Sequence, residues 1–534
     1  MTQTRLIALF ACFLLLFGII VGRLYVVASN QAYAGTAQQQ IITTLKMEPA
    51  RGGIYDRDGQ PLTGYGDRYF ALSIPGESSY ADLFDYVSYA QQSLLYSRRN
   101  SSTPFLVEVE EDLSDQGIYT YTQPKRYFPV PIAQHLLGYL DGEGHGVAGV
   151  ELAFDELLSG SGVSDYVQCV TNAQGALMVG QKPALTQASV NMPGVMLTLD
   201  EALQRSCEAI AATQMEKGCI LVLERETAKV LASVSMPQFS PDHVAKSIEA
   251  NDSSLLNRAF CQFNVGSVFK PVVAALALEQ GMGRFSHDCE GFVDINGHVY
   301  RCARSIVHGE MSLAGALERS CNCYFIRLGL QLGGDRLNEM AEKFGFGQSV
   351  YLAGGLKAAS GNLPDTEVLK DIGQLASISF GQGQLLATPV QVAGMMNTIV
   401  NDGVYITPSF LEGVYDPSSG RITQSLYQPA SRRVIREKNA DALQHMLVGV
   451  VEAGIGKAAR PTEGGSGGKT GTAQTGRYAQ DGQELMDLWF AGFYPADEPR
   501  YTIVVLQDEV VDPQTSCAAI FAQVCNALAY LENS

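Results

Sequence analysis

Runs that read as buried strands sit at both ends of a long helical middle, and this placing limits the fold more than any other feature. CILVLE (Cys219 to Glu224) and VLASVSM (Val230 to Met236) are short apolar runs, and LWFAGFYP (Leu488 to Pro495) and YTIVVLQDE (Tyr501 to Glu509) are two more. Continuous apolar runs of that length, rich in β-branched and aromatic residues, suit strands covered on both faces. Between them the stretch from Phe269 to about Thr398 is mostly helical in pattern, and a closing helix is expected from Ser516 to Leu531. Strands first, helices in the middle and strands at the end predict an α+β unit with one discontinuous antiparallel sheet. Asp200 stands where a helix over Glu201 to Lys217 needs its cap.

Ahead of this unit, Leu6 to Gly22 is an unbroken apolar run that resumes after Arg23 through Ala28. About 20 such residues span a bilayer core. The expectation is an anchor over 1–28, with Arg5 and the terminal amine on the cytoplasmic side and Arg23 snorkelling to the far interface. The rival reading is a signal peptide cleaved at Ala32-Tyr33-Ala34. Either way the remainder is extracytoplasmic. It divides into a small mixed α/β pedestal over 29–190, with helical character from Tyr80 to Ser97 and a hairpin from Tyr166 to Val179, and the main unit over 191–534. Hydrophobic residues make up 46% and charged residues 17%, which suits a folded chain rather than a disordered one. The charge sum, 37 minus 55 or −18, repels phosphates and excludes nucleic acid as a partner. The acidic run Glu108, Glu110, Glu111 and Asp112 reads as solvated surface.

Eleven cysteines are scattered along the chain, unlike a small disulfide scaffold. Cys289 and Cys302 flank Val293 to Tyr300, a hairpin pattern turning at Asn296-Gly297, and are the most pairable. His287, Cys289, His298 and Cys302 also offer a zinc set, but at irregular spacing. A plain hairpin with paired or free thiols is the expectation, with no metal.

Two serines precede a lysine by three residues, Ser267 with Lys270 and Ser466 with Lys469. Ser267 follows Gly266 and opens the helical run FKPVVAALALEQ, which puts Lys270 one turn later on the same face. Apolar neighbours would lower that lysine's pKa and let it act as a base. Ser466 lies instead in GGSGGKTGTAQ, where glycines allow close backbone approach and Lys469, Thr470, Gly471 and Thr472 supply a cation, hydroxyls and amides for an anionic substrate. Ser320-Cys321-Asn322 falls between them. Each motif is common alone, while the ordered set SVFK, SCN and KTG is that of serine β-lactamases and penicillin-binding proteins. His308 stands close before the SCN helix, where it either lines the site or, as is expected, makes a structural hydrogen bond.

With these motifs the chain resembles class B penicillin-binding proteins, the membrane-anchored peptidoglycan DD-transpeptidases. RGGIYDRDGQPL (Arg51 to Leu62), RYFPVPIAQHLLGYL (Arg126 to Leu140), GVAGVEL, LTLD, the NRA of Asn257 to Ala259, FGQGQLLATPVQVA (Phe380 to Ala393) and WFAGFYP carry the resemblance. It implies a penicillin-binding, serine β-lactamase-like transpeptidase domain with an antiparallel sheet and a helical subdomain. It implies Ser267 as nucleophile, with Lys270, Ser320 and Lys469 catalytic and Asn322, Thr470, Gly471 and Thr472 binding substrate. No cofactor is expected. The implied partners are peptidoglycan stem peptides, β-lactam antibiotics, the membrane and a lipid-linked glycan polymerase. Two departures stand out. The turn Glu226-Thr227-Ala228-Lys229 lacks the usual glycine, and VGSVFK replaces the commoner proline-Gly-Ser-Thr form. The alternatives are a non-catalytic penicillin-binding scaffold and a β-lactamase. The latter lacks its Glu-x-x-Leu-Asn base, since Gly334 precedes Leu337-Asn338 where the glutamate would stand.

Overall fold

The computed structural model describes residues 3–29, 42–64, 66–74, 80–101, 103–160, 164–172, 177–178, 180–187, 192–250, 252–353 and 355–533. The cleavage-type sequence Ala32-Tyr33-Ala34 lies outside the described residues, as do 173–176 within the expected hairpin after Tyr166 and 188–191 at the expected boundary. The chain forms two compact units, one of Met1–Arg51, Gly66–Lys125 and Gly162–Val190, the other of Gly52–Tyr65, Arg126–Ser161 and Asn191–Ser534.

The first unit begins with one helix, Gln3–Ser29, long and apolar enough to cross a membrane, and no residue of it is buried. Two three-stranded sheets follow. One orders Ile42–Pro49, Ser164–Val170 and Ala184–Thr186, the other Phe105–Val109, Asp67–Ser73 and Thr120–Pro124. The helical character expected from Tyr80 to Ser97 resolves into two short turns and a helix over Tyr89–Ser97 capped by Ser88. Of the acidic run, Glu110 and Glu111 are exposed as expected, but Glu108 is half-buried and takes a bidentate pair from Arg68, with Nε at 2.7 Å and Nη2 at 2.9 Å. Arg68 also holds Glu48 and so ties the two sheets together.

The second unit is built on a five-stranded antiparallel sheet. Its strands are β1 (Gly218–Glu224), β2 (Val230–Met236), β3 (Gly467–Tyr478), β4 (Glu484–Tyr494) and β5 (Tyr501–Val510), in the order β2-β1-β5-β4-β3. The chain thus lays two early strands beside three late ones, as the run pattern predicts. Alternation explains why these strands are apolar throughout. Ile220 and Val222 of β1 face a cluster that includes Leu203 and Phe521, from helices α1 (Glu201–Gln214) and α2 (Cys517–Asn533). Cys219, Leu221 and Leu223 join a larger core on the other face with the helices Lys270–Glu279 and Pro389–Val400. Asp200 caps α1 by accepting from the Leu203 amide at 2.9 Å. In the β1–β2 turn, Ala228 stands at φ +53°, the left-handed conformation that explains why glycine is the usual residue there.

The units are interleaved, unlike the single cut at 190 that the sequence suggests. Ile54–Tyr55 adds a parallel strand to Gly194–Leu197. Arg126 donates to Glu151 Oε1 at 2.6 Å and to the Gly52 carbonyl at 2.7 Å, and the buried Glu208 accepts from the Ala133 amide at 2.7 Å. Ile54, Leu62, Leu136, Leu137, Val150 and Leu158 all enter the core of the second unit. The physical reason is burial, because these motif blocks carry apolar side chains that only that core covers.

Candidate active site

Ser267 sits on a single 3-10 turn, Gly266–Phe269, that runs directly into the helix Lys270–Glu279 with Pro271 in its first turn. Proline is tolerated there because the first amides of a helix have no intrahelical partner. The turn is pinned at its first residue. Gly266 has φ +61° and donates to the Gly381 carbonyl at 2.8 Å, and a Cβ on Gly266 would stand 2.6 Å from the Thr472 carbonyl oxygen. The serine turn is therefore pressed, backbone to backbone, against β3. Gly471 serves the same approach, since a Cβ there would meet Val268 Cγ1 at 2.9 Å and Trp489 Cβ at 3.0 Å. Its glycine is needed for packing against the protein itself.

Lys270 is fully buried. Its Nζ donates to Asn322 Oδ1 at 2.7 Å, to the Ser320 carbonyl at 2.8 Å and to Ser320 Oγ at 3.0 Å. Lys469, also fully buried, reaches the same hydroxyl from β3 at 3.1 Å and donates to the Thr470 carbonyl at 3.1 Å. Two lysines thus converge on one oxygen. Ser320 holds φ +52°, a conformation that costs a non-glycine residue about 1–3 kcal/mol and persists only where its surroundings impose it. Burial lowers the Lys270 pKa to about 7. Burial also drives Lys469 well below its ordinary value, with the charge of Lys270 adding to the effect. No carboxylate partners either amine among the described hydrogen bonds, so a proton added to this pair has only neutral acceptors.

A cavity of about 710 Å³ opens over these groups. Of the residues expected from sequence, Ser267, Ser320, Asn322, Thr470 and Thr472 line it, while Lys270 and Lys469 stand buried beneath. Tyr300, Arg301, Phe380 and Gln382 line it too, and no short motif marked Tyr300 or Arg301. Gln382 belongs to the FGQGQ run, and its Nε2 donates to the Thr472 carbonyl at 3.4 Å. Ser466, the rival serine, is buried and donates to the Ala459 carbonyl at 2.9 Å, a purely structural contact. Asn338, where a β-lactamase would carry its Leu-Asn element, donates to the Pro364 carbonyl and lines no part of this cavity.

The zinc set suggested by spacing is not the one the fold assembles. The donors that lie within 4.8 Å of one another are Cys289, Cys302, His308 and Cys321, and His287 and His298 are not among them.

The family model for the penicillin-binding protein transpeptidase domain matches residues 218–526. The chain belongs to the penicillin-binding protein transpeptidase family. It is similar to stage V sporulation protein D of Bacillus subtilis, 27% identical over 93% of this chain and 81% of that one. It is similar to peptidoglycan D,D-transpeptidase FtsI of Escherichia coli, 26% identical over 96% of this chain and 87% of that one. In structure it is similar to penicillin-binding protein 3 of Mycobacterium tuberculosis, with a TM-score of 0.66, 24% identity, and coverage of 92% of this chain and 97% of that one. The resemblance to class B penicillin-binding proteins and the α+β transpeptidase fold are borne out.

Proposed function

We propose that this penicillin-binding protein is an acyl-serine peptidoglycan DD-transpeptidase whose nucleophile is Ser267. The observation that carries the reading is that Lys270, one helical turn after Ser267, and Lys469 converge on Ser320, which lines the same cavity as Ser267. Ser267 Oγ attacks the carbonyl between the two terminal D-alanines of a stem peptide. Its proton passes to Lys270, whose lowered pKa leaves a neutral amine available near pH 7. Ser320 accepts hydrogen bonds from both lysines, so its own hydrogen is free to turn toward the leaving D-alanine nitrogen, and Lys270 resupplies it. The C–N bond breaks, D-alanine departs with that proton, and an ester remains on Ser267. An amine of a neighbouring stem peptide then attacks the ester, forms the crosslinking amide and returns the proton to the serine.

Thr470, Thr472 and the amine of Lys469 would receive the terminal carboxylate. The amides of Ser267 and Thr472 would hold the oxyanion, a contribution of about 3–4 kcal/mol per donor in other enzymes. Asn322 already spends Oδ1 on Lys270 and one Nδ2 hydrogen on the Arg301 carbonyl at 3.0 Å. It retains one hydrogen and one lone pair for the substrate amide. The structures of the Mycobacterium tuberculosis protein complexed with aztreonam and with ampicillin favour acylation by β-lactams as the assay.

The helix Gln3–Ser29 serves as a single-pass anchor that leaves the catalytic unit outside the cell membrane. The first unit acts as a pedestal, with a lipid-linked glycan polymerase as the partner expected to meet it. The test of the enzyme is intact mass after incubation with penicillin, beside Ser267→Ala. A stable single adduct on the parent alone is expected. No adduct on folded protein would favour a scaffold, and a transient adduct with steady drug loss would mean a β-lactamase.

A further inference from the structure

We infer that Cys289, Cys302, His308 and Cys321 form a tetrahedral site for a zinc-type divalent cation, fastened to the corner that carries Ser320. The four donors come from separate segments that the fold draws together. Cys289 ends the strand His287–Cys289, which pairs with Gly309–Met311 in a register that sets Cys289 opposite Gly309 and so brings His308 alongside. The hairpin Phe292–Ile295 and His298–Arg301 returns the chain to Cys302. Its turn has Asn296 at φ +52° and Gly297 at φ +86°, the conformation an Asn-Gly pair adopts most readily. Cys321 stands immediately before the helix Asn322–Leu332.

All four donor atoms lie within 4.8 Å of one another, and three of their distances match a coordination polyhedron, although the Cys323 Sγ outside the set also stands 3.4 Å from Cys302 Sγ. Sulfurs about 2.3 Å and an imidazole nitrogen about 2.05 Å from zinc, at tetrahedral angles, place two sulfurs about 3.8 Å apart and a sulfur and the nitrogen about 3.6 Å apart. Cys289 Sγ stands 3.7 Å from Cys302 Sγ, Cys302 Sγ stands 3.8 Å from Cys321 Sγ, and Cys289 Sγ stands 3.5 Å from His308 Nδ1. A disulfide needs about 2.05 Å, so no pair among these is bonded. The thiols are almost wholly buried, and His308 is half-buried and lines the active-site cavity, which gives a cation a way in. Cys289 Sγ also accepts from the Gly291 amide at 3.4 Å, a contact that favours thiolate. Packing alone accounts for buried thiols, but not for an imidazole nitrogen turned onto them. Three thiolates with one imidazole are a common structural zinc set.

The position gives the site a use. Cys321 lies between Ser320, strained at φ +52°, and Asn322, and both neighbours accept from Lys270. A metal bond on Cys321 would tie this corner to the hairpin and hold Ser320 Oγ where both lysines meet. The four residues are thus positioning residues, and the inference stands whether or not Ser267 is the nucleophile.

The experiment is elemental analysis of the full chain, purified in detergent without chelator, reduced and then equilibrated with zinc(II). One zinc per chain is expected. Cys289→Ser and His308→Ala should lose it, while Cys525→Ser, a buried thiol outside the cluster, should keep it. Cobalt(II) in its place should give the intense visible absorption of a tetrahedral thiolate complex, which reads the ligand set without reference to activity. Should the variants misfold, the zinc content and cobalt spectrum of the parent chain still decide. A reduced parent chain that binds neither metal overturns the site. So does a purified chain in which Cys289–Cys302 or Cys302–Cys321 is a disulfide that re-forms in the presence of zinc.

Discussion

Ser320 accepts from two buried amines at once, and that arrangement fixes how the site responds to pH. Lys270 titrates near 7, so below that pH it is an ammonium without a lone pair and cannot take a proton from Ser267. The second-order rate of acylation by penicillin should therefore fall about tenfold per pH unit below 7 and level off above it. A flat profile from pH 5.5 to 8.5 would remove Lys270 from the role of base. Replacing Ser320 with Ala should slow acylation on the order of 10²–10⁴-fold, the usual worth of a positioned proton donor, while the chain stays folded. An unaltered rate would leave the relay without support. The ordered SVFK, SCN and KTG motifs made this group legible in the sequence, because each carries its chemistry in three or four consecutive residues. The thiol site was not legible in the same way. His308 and Cys321 lie 19 and 32 residues from Cys289, and only the register of two short strand pairs shows that they, and not His287 and His298, meet Cys302.

Between the serine turn and β3 the controlling quantity is backbone distance. Gly471 was readable as a place where something must come close, but the sequence could not show that the neighbour is Val268, two residues before Lys270, and Trp489 of β4. Adding one methyl at Gly471 would force the strand and the turn apart by several tenths of an ångström. Since a displacement of about 1 Å in a reacting group can cost on the order of 10²-fold, Gly471→Ala should cut acylation at least tenfold. Its urea midpoint should move far less than a core truncation would move it. Equal acylation of variant and parent would show that the turn gives way freely. The cap of α1 offers a contrasting case. Asp200→Ala removes the acceptor for the Leu203 amide and should lower stability by about 1 kcal/mol, read as a shifted urea midpoint at unchanged slope, with acylation unaffected.

Over the whole chain, the motifs after the N-terminal apolar helix were legible as signatures, but their physical purpose was not. RGGIYDRDGQPL, RYFPVPIAQHLLGYL and GVAGVEL read as parts of a pedestal because they precede the strand runs. The fold instead assigns nearly all of them to the unit that holds the active site. Linear order hides this, since the segments 66–125 and 162–190 intervene and form a unit of their own. The consequence concerns where the chain can be cut. A chain begun at Asn191 lacks Ile54, Leu62, Ile132, Leu136, Leu137, Val150 and Leu158, each at most 2% exposed, together with the strand paired to Gly194–Leu197 and the amide that satisfies buried Glu208. At about 1.5–3 kcal/mol per buried apolar side chain, the loss is comparable to or greater than the 5–15 kcal/mol by which domains are ordinarily stable. Such a chain should be insoluble or fail to bind penicillin. A chain begun at Asn30, which loses only the apolar helix Gln3–Ser29, should remain soluble and acylate at the rate of the full-length protein. Comparable acylation from the Asn191 chain would mean that residues 52–65 and 126–161 only decorate the catalytic unit. Loss in the first case alone would mean that residues 52–65 and 126–161 are conditions for folding the site.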